Sequence, residues 1–303
     1  MVRDTLFTHV RRLFALCVLC TAILPIATAS PLPAKGKKAA PSTIQVSDLR
    51  TERMTRPMSI STPTPRLGWV LSSTLNDVKQ TAYHIIVASS PEKAEALEGD
   101  LWDVTASNDQ SQWVRYAGKT LRSNTRCYWR VKVSTTKGES QWSPTAMWNV
   151  GLLTESDWQG QWIGLDHAMP WDVEEEHSRL SARYLRTTFE ADGPIRQATL
   201  YISGLGMYEA YIDGEKIDTD VNGTHQVLAP APTDYRKTIL YNAFDVTDVL
   251  KAGGDKAQHA IAVVLGNGRY YTMQQNKKPY KITQFGYPKL RANLIIEYEN
   301  GKR

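Results

Sequence analysis

Apolar and polar positions are most tightly ordered between Tyr201 and Tyr271. Tyr208, Ala210 and Ile212 alternate with Glu209 and Tyr211, the period of two that sends successive side chains to opposite faces of a sheet. Asp213-Gly214 follows at once and predicts a tight hairpin, because a type I′ turn needs positive φ at both central residues. Gly204 and Gly206 around Leu205 predict a sharp bend or bulge where a side chain would clash. The run 260–265 is apolar without alternation, which predicts a strand covered on both faces, as when one sheet stacks on another.

Short β-rich runs continue on both sides. Strands are predicted at 67–71, 82–89, 113–116, 126–135, 146–150, 184–189, 197–203 and 290–298, separated by turn residues at a spacing that suits sandwiches. Ser90-Pro91-Glu92 predicts one short helix, with Ser as N-cap and Pro in the first turn, ending at Gly99. Asp245 and Thr247 can bond the backbone of the turn that follows them. Lys251-Ala252-Gly253-Gly254 reads as a breaker. Glu299-Asn300-Gly301-Lys302 predicts an Asn-Gly turn after the last strand. A strand that stops inside its own turn is an unusual domain end, so the expectation is an amino-terminal portion of a longer protein or a truncated gene product.

The 303 residues have room for about two domains. A hydrophobic fraction of 42% and a charged fraction of 22% exclude wholesale disorder. Residues 1–29 read as a secretory signal: Arg3, Arg11 and Arg12 precede a short apolar run, and Ala27-Thr28-Ala29 offers small residues for cleavage. That run is too short for a membrane span, which needs about 20 residues. Lipidation at Cys20 is the weaker reading, because Leu19 is not the small residue such sites carry. The expected route is secretion, with the periplasm as destination. The formal charge of +5 falls to +3 without the signal, too little to imply nucleic acid as a partner. Residues 30–43, rich in Pro, Lys and Ala, read as a linker.

Of three cysteines only Cys127 lies outside the signal, so no internal disulfide is expected and its reading is a small core side chain. His167, His177 and the carboxylates of 166–178 lack metal-ligand spacing and read as a solvated acidic loop. Trp158 and Trp162 read as domain-packing residues. Catalytic templates fail. Gly118-Lys119 lacks the earlier glycine of a phosphate loop, where Trp113 stands, and Gly204-Leu205-Gly206 is followed by Glu209 where a dinucleotide fingerprint needs glycine. No cofactor and no metal is implied. What remains is an inventory for binding: Tyr235, Arg236, Asn267, Arg269, Tyr270 and Tyr271 at or beside predicted strand ends. Aromatic faces beside fork-shaped donors suit sugar rings, and the competing reading is sheet packing and solvated arginines.

The text 125–144, an aromatic pair on an alternating strand, a glycine turn and then Trp142-Ser143-Pro144, resembles the closing strands of a fibronectin type III-like domain. Gly151–Gly164, then GLGMYEAYIDGEKI, LAPAPTDYRKTILYNAFDVTDVL, AVVLGNGRYY and YPKLRANLIIEYENG, look like the amino-terminal β-region of bacterial α-L-rhamnosidases. The resemblance covers 44–303. It implies an all-β chain: a fibronectin type III/Ig-like sandwich at 44–151, an inter-domain segment at 152–179 and a jelly-roll sandwich at 180–303. In that family an (α/α)6 barrel beyond these domains removes terminal α-L-rhamnose with inversion, using two carboxyl groups. No helical barrel pattern is present here, so no catalytic residue is carried over and the chain is expected to be inactive alone. Its expected partners are that catalytic domain and rhamnose-containing glycans. Pro230-Ala231-Pro232-Thr233 departs from the Pro-Gly-Trp-Thr of many relatives, which weakens sugar stacking at that loop. The rival reading is a free-standing carbohydrate-binding or adhesion sandwich.

Overall fold

The computed structural model describes residues 43–172, 180–217, 229–254, 258–271 and 285–303. The signal and nearly all of the linker lie outside them. So does His177. Among the described residues no helix is long and apolar enough to cross a membrane.

The first sandwich contains β1 (Ile44–Thr51), β2 (Arg66–Ser73), β3 (Gln80–Ala88), α1 (Pro91–Glu95), β4 (Trp102–Ala106), β5 (Val114–Arg115), β6 (Arg126–Thr135), β7 (Gly138–Glu139) and β8 (Ala146–Asn149). One sheet has the order β1-β2-β5; the other runs β4-β3-β6-β7, with β8 also paired to β6. The alternation in β6 sets the core. Cys127, Trp129, Val131 and Val133 are fully buried and pack with Trp69, Ile85, Tyr116 and Trp148. Burial pushes the Cys127 thiol well up, as suits an inert core group.

Ser90 caps α1 as expected, its Oγ accepting from the Lys93 N–H at 3.3 Å. The helix ends four residues short of Gly99, because Leu97 turns into the left-handed region at φ 61°. The strand predicted at 113–116 shrinks to Val114–Arg115, since Trp113 itself takes φ 63° and leaves the ladder.

The second sandwich contains β9 (Ile163–Gly164), β10 (Arg183–Glu190), β11 (Ile195–Leu205), β12 (Met207–Ile212), β13 (Glu215–Lys216), β14 (Asn242–Asp245), α2 (Thr247–Ala252), β15 (Gln258–Gly266) and β16 (Lys289–Tyr298). Its sheets run β14-β11-β16-β9 and β10-β15-β12-β13. Leu200 and Ile202 from the first pack with Tyr208, Ala210, Val263 and Leu265 from the second. Between β11 and β12 the chain crosses from one sheet to the other through the single residue Gly206, where φ is 134° and an added Cβ would lie 2.3 Å from the Gly266 carbonyl oxygen. Asp213 and Gly214 both take positive φ, 53° and 88°, closing the β12–β13 hairpin.

The doubly covered strand is β11 and not β15. In β15, Ala260, Ala262 and Val264 stay half-buried on the outer face. Those small side chains make the strand read as continuously apolar although only one face meets the core. From Gln197 to Leu205 every residue of β11 is buried. Its apolar positions face the second sheet, while Thr199 and Tyr201 bond to the first domain. Two further expectations change. Thr247 opens a helix, α2, with its N–H bonded to Asp245 Oδ1 at 3.1 Å. Asp172 is no part of a solvated loop: it pairs with Arg183 at 3.2 Å, the two side chains 1% and 2% exposed. It also accepts from the Ser181 and Met169 N–H groups, and this bonding holds its carboxyl far below the usual range, led by the Ser181 hydroxyl.

Candidate functional site: an aromatic corner and a polar domain joint

The Gly206 crossing supports one corner of the second sandwich. Because Gly206 has no side chain, the turn after β15 lies directly against it. There the N–H groups of Tyr270 and Tyr271 both bond the Asn267 carbonyl, at 3.2 and 3.3 Å. Tyr270 continues to Phe285, whose N–H donates to the Tyr270 carbonyl at 3.0 Å. Tyr235 arrives from a separate turn, closed by the Lys237 and Thr238 N–H groups on the Asp234 carbonyl.

Four of the six proposed sugar-contact residues meet here. Tyr235 stands edge-on to Tyr270 and Phe285, with centroids 5.2 and 5.3 Å away, and Tyr270 stacks on Phe285 at 5.9 Å. Arg236 lies 5.7 Å over the Phe285 ring while paired to Asp234 at 3.0 Å. Arg269 is exposed and near enough to act on the Tyr235 phenol. Burial raises the Tyr235 pKa, and Arg269 offsets part of that rise. The Tyr235 hydroxyl is buried without a hydrogen-bond partner, an unsatisfied group of the kind that calls for an explanation.

The other two residues are used differently. Asn267 donates from Nδ2 to the Leu180 carbonyl at 2.7 Å, tying the turn to the start of the domain, and its Oδ1 is buried without a partner. Tyr271 is 2% exposed and stacks on Tyr287 at 5.5 Å. The sequence inventory missed Phe285 and Tyr287. Both lie in FGYP just before β16, and the Gly-Tyr-Pro turn text was the available signal. Ala231 and Pro232, in the divergent loop, are exposed.

A second constellation joins the two sandwiches. Asn149 Nδ2 donates to Tyr201 Oη at 2.8 Å, Tyr201 Oη donates to Asn124 Oδ1 at 2.9 Å, and Asn124 Nδ2 donates to Glu297 Oε1 at 3.1 Å. Arg126 reaches Asp245 at 2.8 Å and Thr199 at 3.3 Å. Ser59 Oγ and the Leu152 N–H both donate to Tyr241 Oη, at 2.8 and 3.2 Å. Trp158 packs edge-on to Tyr241 at 5.4 Å with Arg291 over its ring, contacts that fasten the connecting segment to the second sandwich. Burial pushes the Tyr201 phenol up, which keeps it neutral and able to donate.

Asp234, the carboxylate beside the aromatic corner, does not have the electrostatics of a general acid. Among the described residues every carboxylate with a displaced pKa is displaced downward; at Asp234 the hydrogen bond from Arg236 is the largest cause. Glycoside hydrolysis by protonation of a leaving group requires the opposite displacement. No cluster of three or more His, Cys, Asp or Glu able to hold a metal occurs among the described residues.

Two family models match the chain in tandem. The Rha78A-like, N-terminal immunoglobulin domain matches residues 46–154, and the alpha-L-rhamnosidase N-terminal domain matches residues 193–303. The chain has the amino-terminal region of the α-L-rhamnosidase family. An alpha-L-rhamnosidase of Formosa agariphila is 32% identical over 264 residues, covering 81% of this chain and 27% of the relative. The structure of an alpha-L-rhamnosidase from Dictyoglumus thermophilum superposes with a TM-score of 0.68 at 31% identity, over 85% of this chain and 28% of that one. One from Aspergillus terreus gives a TM-score of 0.70 at 25% identity, over 86% and 28%. The chain therefore spans about a quarter of the length of these relatives. The rhamnosidase resemblance and the all-β sandwich class both hold. The first sandwich, likened above to fibronectin type III, carries the immunoglobulin description.

Proposed function

We propose that this chain is the non-catalytic amino-terminal part of an α-L-rhamnosidase, an enzyme that releases terminal α-L-rhamnose with inversion. In this reading the two sandwiches, 44–151 and 180–303, with the segment 152–179 between them lending β9 to the second, are a scaffold for a catalytic domain supplied by further chain. The Tyr235 corner then touches a rhamnose-containing glycan. The observation that carries the reading is the tandem match of both amino-terminal family models, together with relatives named alpha-L-rhamnosidase that the chain covers for only about a quarter of their length. The downward displacement of the carboxylates supports a supporting rather than a hydrolytic role. The basic, apolar and small-residue pattern of 1–29 supports secretion with cleavage after Ala29.

Incubating the purified chain with an aryl α-L-rhamnoside tests the first half: no aryl alcohol is expected, and measurable release would overturn it. Titration with L-rhamnose tests the second. Saturable binding weakened by Tyr270→Ala is expected, and heat-silent mixing at millimolar rhamnose would remove the glycan contact.

A further inference from the structure

The first sandwich carries a cavity that no part of the rhamnosidase reading uses. It has a volume of about 420 Å³, and its lining includes Asp48, Arg50, Glu52, Arg53, Arg66 and Trp113. Trp69, 2% exposed, also contributes to the wall. We propose that this cavity binds a carboxylated pyranose, a uronic acid unit, with the carboxylate on Arg53 and the sugar ring against Val70 and the rim of Trp113.

Charge points to an anion. Three guanidiniums face two carboxylates, and both carboxylates are already engaged: Asp48 with Arg50 at 2.8 Å, and Glu52 with Arg66. Glu52 also accepts from the Arg66 backbone N–H at 2.7 Å, which fixes that pair in place. Its carboxyl is held low chiefly by the Arg66 hydrogen bond. Arg53 is exposed, lies 4.3 Å over the Trp113 ring and has no carboxylate partner among the described residues. It is the uncompensated fork-shaped donor, the geometry that recognises a carboxylate through two parallel bonds.

Shape points to a ring. The cavity falls within the ordinary range of small-molecule pockets, roughly 300–1,000 Å³, which is far more than a bare carboxylate fills. Trp113 is 40% exposed and Val70 45% exposed. Arg66 as well as Arg53 lies 4.3 Å over the Trp113 ring, so the apolar area left for the C–H face of a pyranose is Val70 and the rim of Trp113, and Gln112 offers an amide to its hydroxyls. Trp69 Nε1 is already committed to Gln80 at 3.2 Å.

Backbone held out of its relaxed basin is concentrated around this cavity. Asp48, Glu52, Arg53 and Trp113 take φ of 48°, 50°, 67° and 63°, four of the nine non-glycine residues at positive φ among those described. A bulge between Ser47 and Arg50 in β1 accommodates Asp48, and paired bonds between Thr51 and Met54 close the turn that holds Glu52 and Arg53. For a bulky residue such a conformation is an outlier, and strain of this kind gathers at ligand sites. None of these residues belongs to the Tyr235 corner, so the inference stands apart from the rhamnose contact.

Calorimetric titration of the purified chain with D-glucuronate, D-glucose, acetate and L-rhamnose decides it. Saturable binding of glucuronate is expected, at least 10-fold tighter than glucose or acetate, and lowered at least 10-fold by Arg53→Ala. Arg53→Lys, which keeps the charge and loses the fork, should fall between Arg53→Ala and the native chain. Equal binding of glucuronate and glucose, acetate matching glucuronate, or affinity unchanged in a folded Arg53→Ala chain would each overturn the proposal. So would absence of saturable glucuronate binding. If Arg53→Ala loses the native circular dichroism, Arg53→Lys decides alone, and affinity equal to the native chain overturns it. The rhamnose arm reports on the Tyr235 corner alone, so the two readings fail separately.

Discussion

Two tyrosines of this chain bury their hydroxyls in opposite circumstances. Tyr201 donates to Asn124 and accepts from Asn149, whereas the Tyr235 hydroxyl has no partner. Removing one member of a satisfied pair strands the others, at about 1–3 kcal/mol, while removing an unsatisfied hydroxyl relieves a desolvation penalty. Tyr201→Phe should therefore lower stability by roughly 1–3 kcal/mol in urea unfolding, and Tyr235→Phe should leave it unchanged or raise it. A loss of rhamnose binding in Tyr235→Phe without a loss of stability would mark its hydroxyl as reserved for ligand. Asp172 makes a prediction in pH. Its folded pKa lies below the unfolded value of about 3.9. Its contribution is thus fully present above that value and lost as pH falls toward the folded one. Asp172→Asn should be less stable at neutral pH, because Arg183 is left buried and unpaired. Its stability should also fall less steeply on acidification below about pH 4, which urea midpoints measured from pH 2 to 7 would show.

At the level of elements, legibility followed the locality of the cause. Asp213-Gly214 and the Ser90-Pro91 cap were readable because each depends on residues within a few positions. Gly206 was readable as a bend, but its reason lies 60 residues away in the Gly266 carbonyl. Gly206→Ala would combine a positive φ with that contact, and a loss of about 1–3 kcal/mol is expected. Denaturant midpoints check it, and a neutral result would mean the β11–β12 corner relaxes freely. The doubly covered strand was misplaced because periodicity reports side-chain polarity and not what lies opposite. Alanines made β15 look enclosed, while Thr199 and Tyr201 kept β11 from presenting a continuous apolar run. Of the candidate site, the tyrosines and arginines could be named, but Phe285 could not be assigned to Tyr235 without the fold. The strained pocket at Trp113 was invisible, since no residue type announces a positive φ there.

On the scale of the whole chain, the two sandwiches share one joint, and Arg126 is its most buried cation, 7% exposed with partners at 2.8 and 3.3 Å across it. Calorimetric unfolding should show a single transition for the native chain. Arg126→Ala combined with Tyr201→Phe should separate it into two, because the coupling runs through bonds that both variants remove. Two transitions already present in the native chain would show that the joint does not couple the domains.

That joint also bears on how the pair answers to solvent. Its central side chains, Asn124, Arg126, Asn149, Thr199, Tyr201 and Glu297, are groups that water satisfies as readily as a neighbouring protein does. Interfaces within a chain commonly keep this surface-like character. The joint matches donors to acceptors beside the aromatic contacts of Tyr241 with Trp158 and Tyr201. Water is therefore its natural competitor, and whatever opens it exchanges protein partners for solvent ones.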